Sequence, residues 1–188
     1  MASVPNSGPG APPPPVWDAR PPEAQVRYAG FWLRTVAAII DGIILGIAIQ
    51  ILAFFLIAPI QQPPMPDVED WDALVSYAMA AMPVQQIVLA TVLIWAYFVF
   101  QESSRVQATL GKRALGIRVS SLAGDRLDLW KATIRAWPMF LPNAAWLLGV
   151  GIATLVGLAA LIACLTVAFT SRKQGLHDMM AGAVLTRS

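Results

Sequence analysis

Arg34 and Asp41 are oppositely charged residues that lie seven positions apart within a long apolar stretch, residues 31–58. In an α-helix, seven residues make almost two turns, so both side chains leave the same face, about 10 Å apart along the axis. A charge inside a membrane-spanning helix costs about 2.5 to 3.5 kcal/mol on insertion scales, so it normally has a partner or contacts water. The pair therefore predicts either a polar site for an ion or small solute, or an ion pair that fixes helix packing.

The stretch that carries these charges is long enough to cross a bilayer, because about 20 helical residues span a hydrocarbon core of roughly 30 Å. Of the 188 residues, 57% are hydrophobic and 13% are charged, far from the values of soluble proteins. We predict an all-α integral membrane protein, built as a bundle of four transmembrane helices with a cytoplasmic interfacial loop. The helices are expected at about residues 30–58, 84–101, 133–148 and 152–170.

The number of crossings depends on residues 136–170, which carry no formal charge. Pro138, Pro142 and Asn143 interrupt its first part, and Gly149 and Gly151 lie near its middle, which favours two short helices and four crossings in total. One long, tilted and kinked helix is the alternative and gives three crossings. Basic residues flank both ends, and under the positive-inside rule this favours an even number of crossings within the segment.

The distribution of charge predicts the orientation. Residues 35–104 contain no Lys or Arg, whereas the loop at residues 61–83 contains four acidic residues. The positive-inside rule therefore places this loop outside and the N-terminus in the cytoplasm, for a multi-pass protein of the plasma membrane. Residues 1–25 are rich in Pro, Gly and Ala and predict a disordered cytoplasmic tail, so the membrane domain is expected to comprise residues 26–188.

The cytoplasmic loop at residues 105–135 contains seven basic residues, and its most distinctive motif is formed by Gly111, Lys112 and Gly116. It is not a nucleotide-binding loop, because Arg113 follows the lysine where such loops have Ser or Thr. The loop residues are expected either at the headgroup level, near anionic lipid, or as solvated loop charges. Downstream, apolar residues that alternate on both sides of Gly124 predict a short β-hairpin, residues 117–129.

Three segments share an order and spacing that point to one family. The first is Gly30-Phe-Trp-Leu-Arg34 followed by Ile39-Ile-Asp41, and the second is Thr109-Leu-Gly-Lys-Arg-Ala-Leu-Gly-Ile-Arg-Val119. The third is Lys173-Gln-Gly-Leu-His-Asp-Met-Met-Ala-Gly182. Together they resemble the RDD family of membrane proteins, named for one Arg and two Asp. Ala183 departs from the pattern, because the family usually has Thr there.

The resemblance implies which residues form the site. Arg34, Asp41 and Asp178 match the Arg and the two Asp of the family, so we expect them to form the ion or solute site. Arg34 could pair with either carboxylate. The family is mostly uncharacterised, with suggested roles in transport and cation/proton antiport reported for some members.

Other classes of site receive less support. His177 adjoins Asp178, yet one His and one carboxylate without a Cys cluster predict no metal, and no cofactor is expected. A hydrogen-bonded interfacial His is one interpretation of His177, and a cytoplasmic pH sensor is the other. Cys164 is expected to pack in the apolar interior. No catalytic motif and no nucleic-acid-binding pattern is recognisable, so we expect neither an enzyme nor a nucleic-acid partner.

Two functions follow as hypotheses. In the first, the protein is a homo-oligomer in the lipid bilayer that moves a small cation, a proton or a small solute past the Arg/Asp site. In the second, it is a membrane adaptor or structural subunit whose Arg/Asp network only fixes helix packing.

Overall fold

The computed structural model describes residues 27–57, 64–66, 69–80 and 84–187. The tail predicted at residues 1–25 lies outside this part, as do residues 61–63, 67–68 and 81–83 of the loop predicted at residues 61–83. The elements in chain order are α1 Phe31–Leu56, α2 Trp71–Ala80, α3 Val84–Ser103, α4 Leu110–Ala114, β1 Ile117–Ser121, α5 Leu129–Ala145, α6 Val150–Leu165, α7 Leu176–Met180 and β2 Ala183–Arg187. A single 3₁₀ turn follows α5 and another follows α6.

Three of the described helices are long and apolar enough to cross a membrane. They are α1, α3 and α6 with its 3₁₀ extension, Val150–Ala168, and their mean hydropathies are 2.5, 1.6 and 2.5. A helix also forms near the predicted third crossing, but α5 has 17 residues and contains Pro138 and Pro142. The described part of the chain is therefore mostly helical, with three candidate membrane-spanning helices.

The outer faces of α1 and α6 are apolar, as expected of candidate membrane-spanning helices. Ile43, Ile47 and Ile51 on α1 are more than half exposed, as is Leu155 on α6. Apolar surface of this extent is not left in water by a stable soluble domain. The inner face of α6 instead carries buried alanines such as Ala163, and these small side chains let the helix lie close to α5.

Helix α5 lies between α3 and α6 and joins them. The amide of Asn143 donates hydrogen bonds to the carbonyl oxygen of Ile87 and to Oγ1 of Thr91, at 3.0 and 2.7 Å. At the other end, Trp95 Nε1 donates to Thr133 Oγ1 at 3.2 Å. Within an apolar bundle these side-chain bonds fix the register of α3 against α5.

The predicted β-hairpin at residues 117–129 is wrong, although its turn exists. Ser121 N–H donates to the carbonyl oxygen of Asp125 at 2.7 Å, and Gly124 adopts a left-handed φ of 89°. Beyond the turn the chain enters α5, where Asp128 accepts the N–H of Lys131 as N-cap. The local turn signal is the same whether a strand or a helix follows, and the helix cap decides the outcome.

The partner of β1 comes from the far end of the chain. Strand β2 pairs with β1 in antiparallel register, with Val119 opposite Leu185, and both side chains are fully buried. The N–H of Ala29 also donates to the carbonyl oxygen of Leu185 at 2.8 Å, so the start of α1 is attached to the same sheet. The sheet and α4 therefore form a small cap at one end of the helices, and the charged residues lie beneath it.

Candidate functional site

Asp41 lies inside the protein, fully buried on α1, where its carboxylate accepts three hydrogen bonds. Oδ1 accepts from Tyr97 Oη at 2.6 Å and from Gly111 N–H at 2.7 Å, and Oδ2 accepts from Thr109 Oγ1 at 2.6 Å. All three donors are neutral. Among the described residues, no cation lies within ion-pair distance of this carboxylate.

The backbone of the loop motif approaches α1 so closely that only glycine fits at position 111. A Cβ atom on Gly111 would lie 2.9 Å from Oδ1 of Asp41 and would overlap the carbonyl oxygen of Ala37. Thr109 caps α4 and also donates to Asp41, so one hydroxyl serves both the helix and the carboxylate. Gly116, two residues after the end of α4, has a φ of 67°, in the left-handed region that favours glycine.

Arg34 pairs with Asp178 rather than with Asp41. Its NH1 donates to Oδ2 of Asp178, and its NH2 donates to the carbonyl oxygen of Lys173. Its Nε donates to the carbonyl oxygen of Ala29 at 2.8 Å. The closing segment therefore supplies both the carboxylate and a backbone acceptor, and the structure separates the three predicted site residues into a pair and a lone acid.

Asp178 belongs to a longer series of buried ion pairs. Arg135 on α5 contacts Oδ1 of Asp178 with Nε at 2.8 Å, and it donates to Glu102 on α3 through NH1. Lys112 donates to the other oxygen of Glu102. We call this series, Lys112–Glu102–Arg135–Asp178–Arg34, the ion-pair chain. It links α1, α3, α4, α5 and α7 through charges that are almost completely buried.

The ion-pair chain and Asp41 together balance in charge. Three cations face two anions in the chain, which leaves one positive charge, and ionised Asp41 supplies one negative charge. Asp41 also acts electrostatically on Lys112. A buried excess charge is costly, so the protonation or occupancy of Asp41 affects the energy of the whole cluster.

The pKa of Asp178 lies well below its ordinary value. Burial by itself raises the pKa of this carboxyl, but Arg135, His177 and Arg34 outweigh it, and the N–H of Gly175 adds a hydrogen bond at 3.0 Å. Asp178 therefore stays ionised throughout the physiological range and can hold two guanidinium groups.

His177 lies on the buried side of α7. Its Nε2 is 3.4 Å from Oδ1 of Asp178, and its Nδ1 is 3.3 Å from the carbonyl oxygen of Ala163. Burial lowers the pKa of His177 to about 4, despite the neighbouring carboxylate. A neutral, hydrogen-bonded His is therefore the interpretation that the geometry favours over a sensor of near-neutral pH.

A cavity of about 120 Å³ lies between Asp41 and the ion-pair chain. A volume of about 10–15 Å³ on this measure holds one water, so several waters or a small solute would fit. Its polar wall comprises Arg34, Thr35, Asp41, Lys112, Arg135 and His177. The apolar wall includes Phe31, Phe98, Met139 and Cys164. Within the described residues, no three His, Cys, Asp or Glu side chains lie close enough to hold a metal ion.

Four residues of this site were not identified from the sequence: Tyr97, Glu102, Thr109 and Arg135. Glu102 and Arg135 do carry a signal, because each is a charge next to an apolar segment and such a charge often has a buried partner. Tyr97 and Thr109 carry no comparable signal, because hydroxyl groups are common at membrane interfaces.

Comparison with known proteins gives a family and one uncharacterised relative. The model of the RDD family matches residues 28–182. The "Uncharacterized protein YxaI" of Bacillus subtilis (strain 168) is 29% identical over 160 residues, which cover 82% of this chain and 93% of that protein. No solved structure matches. The matched range includes every residue of the ion-pair chain as well as Asp41.

Proposed function

Because the chain belongs to the RDD family, we propose that it is a membrane protein that moves an ion or small solute through the cavity beside Asp41. One observation carries the proposal. Asp41 is fully buried at the cavity, and its hydrogen-bond donors are all neutral, since Arg34 is engaged by Asp178. A carboxylate without its own counter-ion inside an apolar bundle is typical of ion and proton pathways.

The partners of Asp41 suit a group that changes its charge. The hydroxyls of Tyr97 and Thr109 donate to an ionised carboxylate, and either can rotate to accept a proton from a neutral carboxyl. The contact between the two oxygens then survives protonation of Asp41 with the direction of the hydrogen bond reversed. The site can therefore exist in two states without separating these oxygens.

The charge of the cluster favours exchange of one monovalent cation for one proton. When Asp41 is protonated, Asp41 and the ion-pair chain together carry one positive charge, the excess charge of the chain. When ionised Asp41 binds a monovalent cation instead, the total charge of the cluster and the bound cation is the same. The two bound states are electrostatically equivalent and mutually exclusive. Such a site supports cation/proton antiport.

The packing also supports four crossings, with the cap in the cytoplasm. Helix α6 ends next to α7, which leads into strand β2 of the cap, and α5 is the first element after β1, the other strand of the cap. If α6 spans the membrane, α5 must cross in the opposite direction to reach the start of α6. Residues 129–148 are 17 helical and three 3₁₀ residues, about 30 Å of helix. Under the positive-inside rule, the basic residues Arg105, Arg113 and Arg118 support a cap on the inner side of the plasma membrane.

Proton flux in proteoliposomes tests the function. We expect a cation gradient to drive proton flux, and Asp41→Asn to abolish it because the amide carries no exchangeable charge. Asp125→Asn is the matched control, since Asp125 is an exposed turn residue of the cap. Normal flux from Asp41→Asn protein that elutes as a single folded species would refute the proposal.

One observation favours the alternative of a non-transporting adaptor or structural subunit. The ion-pair chain already joins α1, α3, α4, α5 and α7, and the carboxylate of Asp41 has three donors. If the site only fixes packing, wild-type protein shows no flux with any monovalent cation. Asp41→Asn would then lower thermal stability and change nothing else.

We further propose that the functional unit is a homo-oligomer without enzyme activity. Four short crossings enclose a cavity for a few waters, which is small for a complete solute pathway. The mass of the protein in detergent, measured by light scattering with the detergent subtracted, tests this. A monomer that retains full flux would contradict the oligomer.

A further inference from the structure

Helix α7 has one face inside the site and one face outside the protein. His177 and Asp178 are buried and contact the ion-pair chain. Leu176, Met179 and Met180 lie on the opposite side and are 45%, 56% and 58% exposed. Their spacing of three and four residues puts them on one helical face. We call these three side chains the α7 outer face.

The depth of α7 follows from its contacts with α6. The N–H of Leu176 donates to Oγ1 of Thr166 at 2.8 Å, and His177 lies against the carbonyl oxygen of Ala163. Gly175 permits this approach, because a Cβ there would lie 2.7 Å from that carbonyl oxygen. Ala163 and Thr166 belong to the last turns of the membrane span that ends at Ala168. The α7 outer face is therefore at the level of the membrane boundary.

The charges near α7 have one sign on the surface. In residues 165–187, Asp178 is the one acidic residue, and it is fully buried in the ion-pair chain. The exposed charged residues of this segment, Arg172 and Arg187, are basic. An apolar face at the membrane boundary, with the exposed Arg172 four residues before its first member, matches the acyl chains and anionic headgroups of a lipid leaflet.

We propose that the α7 outer face and Arg172 form a docking site for anionic phospholipid of the leaflet next to the cap. The three apolar side chains enter the upper acyl region, and the guanidinium of Arg172 binds the lipid phosphate. This proposal does not depend on transport.

The first experiment measures the depth of α7 in the full-length protein. A single cysteine, Met180→Cys in a Cys164→Ser background, is labelled with an environment-sensitive fluorophore and reconstituted into nanodiscs that contain phosphatidylglycerol. We expect strong quenching by lipids that carry a spin label high on the acyl chain, and weak quenching by aqueous iodide. Ala123→Cys, in the exposed turn of the cap, is the control position. Equal iodide quenching at both positions would overturn the proposal.

The second experiment tests the headgroup. Native mass spectrometry of the intact protein counts bound phosphatidylglycerol against phosphatidylcholine, and we expect Arg172→Gln to reduce the preference for phosphatidylglycerol about threefold or more. Arg126→Gln removes an exposed charge from the turn and should leave the preference unchanged. An equal loss in both variants, or no preference in the wild type, would overturn the assignment of an anionic lipid site.

Discussion

Arg34 and Asp41 lie on the same helix, two turns apart, and yet their surroundings differ in kind. Arg34 is surrounded by charges and carbonyl oxygens that come from the closing segment. Asp41 is surrounded by neutral donors that come from α3 and the loop motif. Two charges on one helical face thus need not form one pair. The segments that pack against each turn decide what each charge does.

The difference has an energetic consequence. Breaking a buried ion pair leaves an uncompensated charge and costs about 3 to 5 kcal/mol, whereas loss of one hydrogen bond between a neutral donor and a carboxylate costs about 1.5 to 3 kcal/mol. The ion-pair chain is therefore expected to determine whether the protein folds. The Asp41 region can lose a single donor and remain intact, which suits a site that changes state.

The largest effect is expected from Arg135→Met, because this substitution leaves two buried carboxylates, Glu102 and Asp178, with one cation fewer each. We expect a loss of stability of roughly 3 to 5 kcal/mol, or failure to accumulate as folded protein. Thermal unfolding in detergent measures the change, and Arg118→Met at an exposed strand position is the control. Similar midpoints for both variants would show that the ion-pair chain is not essential.

Acid should weaken the Asp178 region through His177. Its pKa is about 4 in the folded protein and 6.5 unfolded, so the unfolded state binds more protons between these values. Stability is therefore fully present above about pH 6.5 and falls as the pH decreases towards 4, by a few kcal/mol at most. In His177→Gln, the midpoint of thermal unfolding should depend less on pH over this window. The same dependence of the midpoint on pH as in the wild type would contradict the burial of a neutral His.

Gly111→Ala should disturb the Asp41 region by steric overlap alone. The added methyl group meets the carbonyl oxygen of Ala37 and the carboxylate of Asp41. Overpacking of this kind costs about 1 to 3 kcal/mol. Gly157→Ala is the matched control in α6, where nothing lies within 4 Å of the added atom. Equal stability of the two variants would refute the close approach of the loop to α1.

Tyr97→Phe is expected to have the smallest effect on stability. It removes one of three donors to Asp41 and also the acceptor for the N–H of Leu110, for a loss of about 1.5 kcal/mol, the low end for a hydrogen bond to a charged group. Proton flux should change more than stability if the hydroxyl accommodates both states of Asp41. A double-mutant cycle with Asp41→Asn measures the coupling, and additive effects would place Tyr97 outside the site.

Much of this protein follows from local sequence. The apolar stretches around Arg34 and from position 84 predict α1 and α3, because helix length and hydropathy are properties of neighbouring residues. The ordered motifs also identified Asp178 and Gly111 as residues of interest. The fourth crossing stays a prediction, since α5 is too short and too interrupted for composition alone to establish it.

Only the tertiary structure decided which residues meet. Arg34 and Asp178 are 144 positions apart, and β1 pairs with β2 across more than sixty residues, so neither contact has a local signal. Glu102 and Arg135 entered the site because α3 packs on α5 beneath the cap. The helical period determines on which face of the helix a side chain lies, and long-range packing determines which groups it contacts there. For Arg34 that was an ion pair, and for Asp41 it was three neutral donors and a cavity.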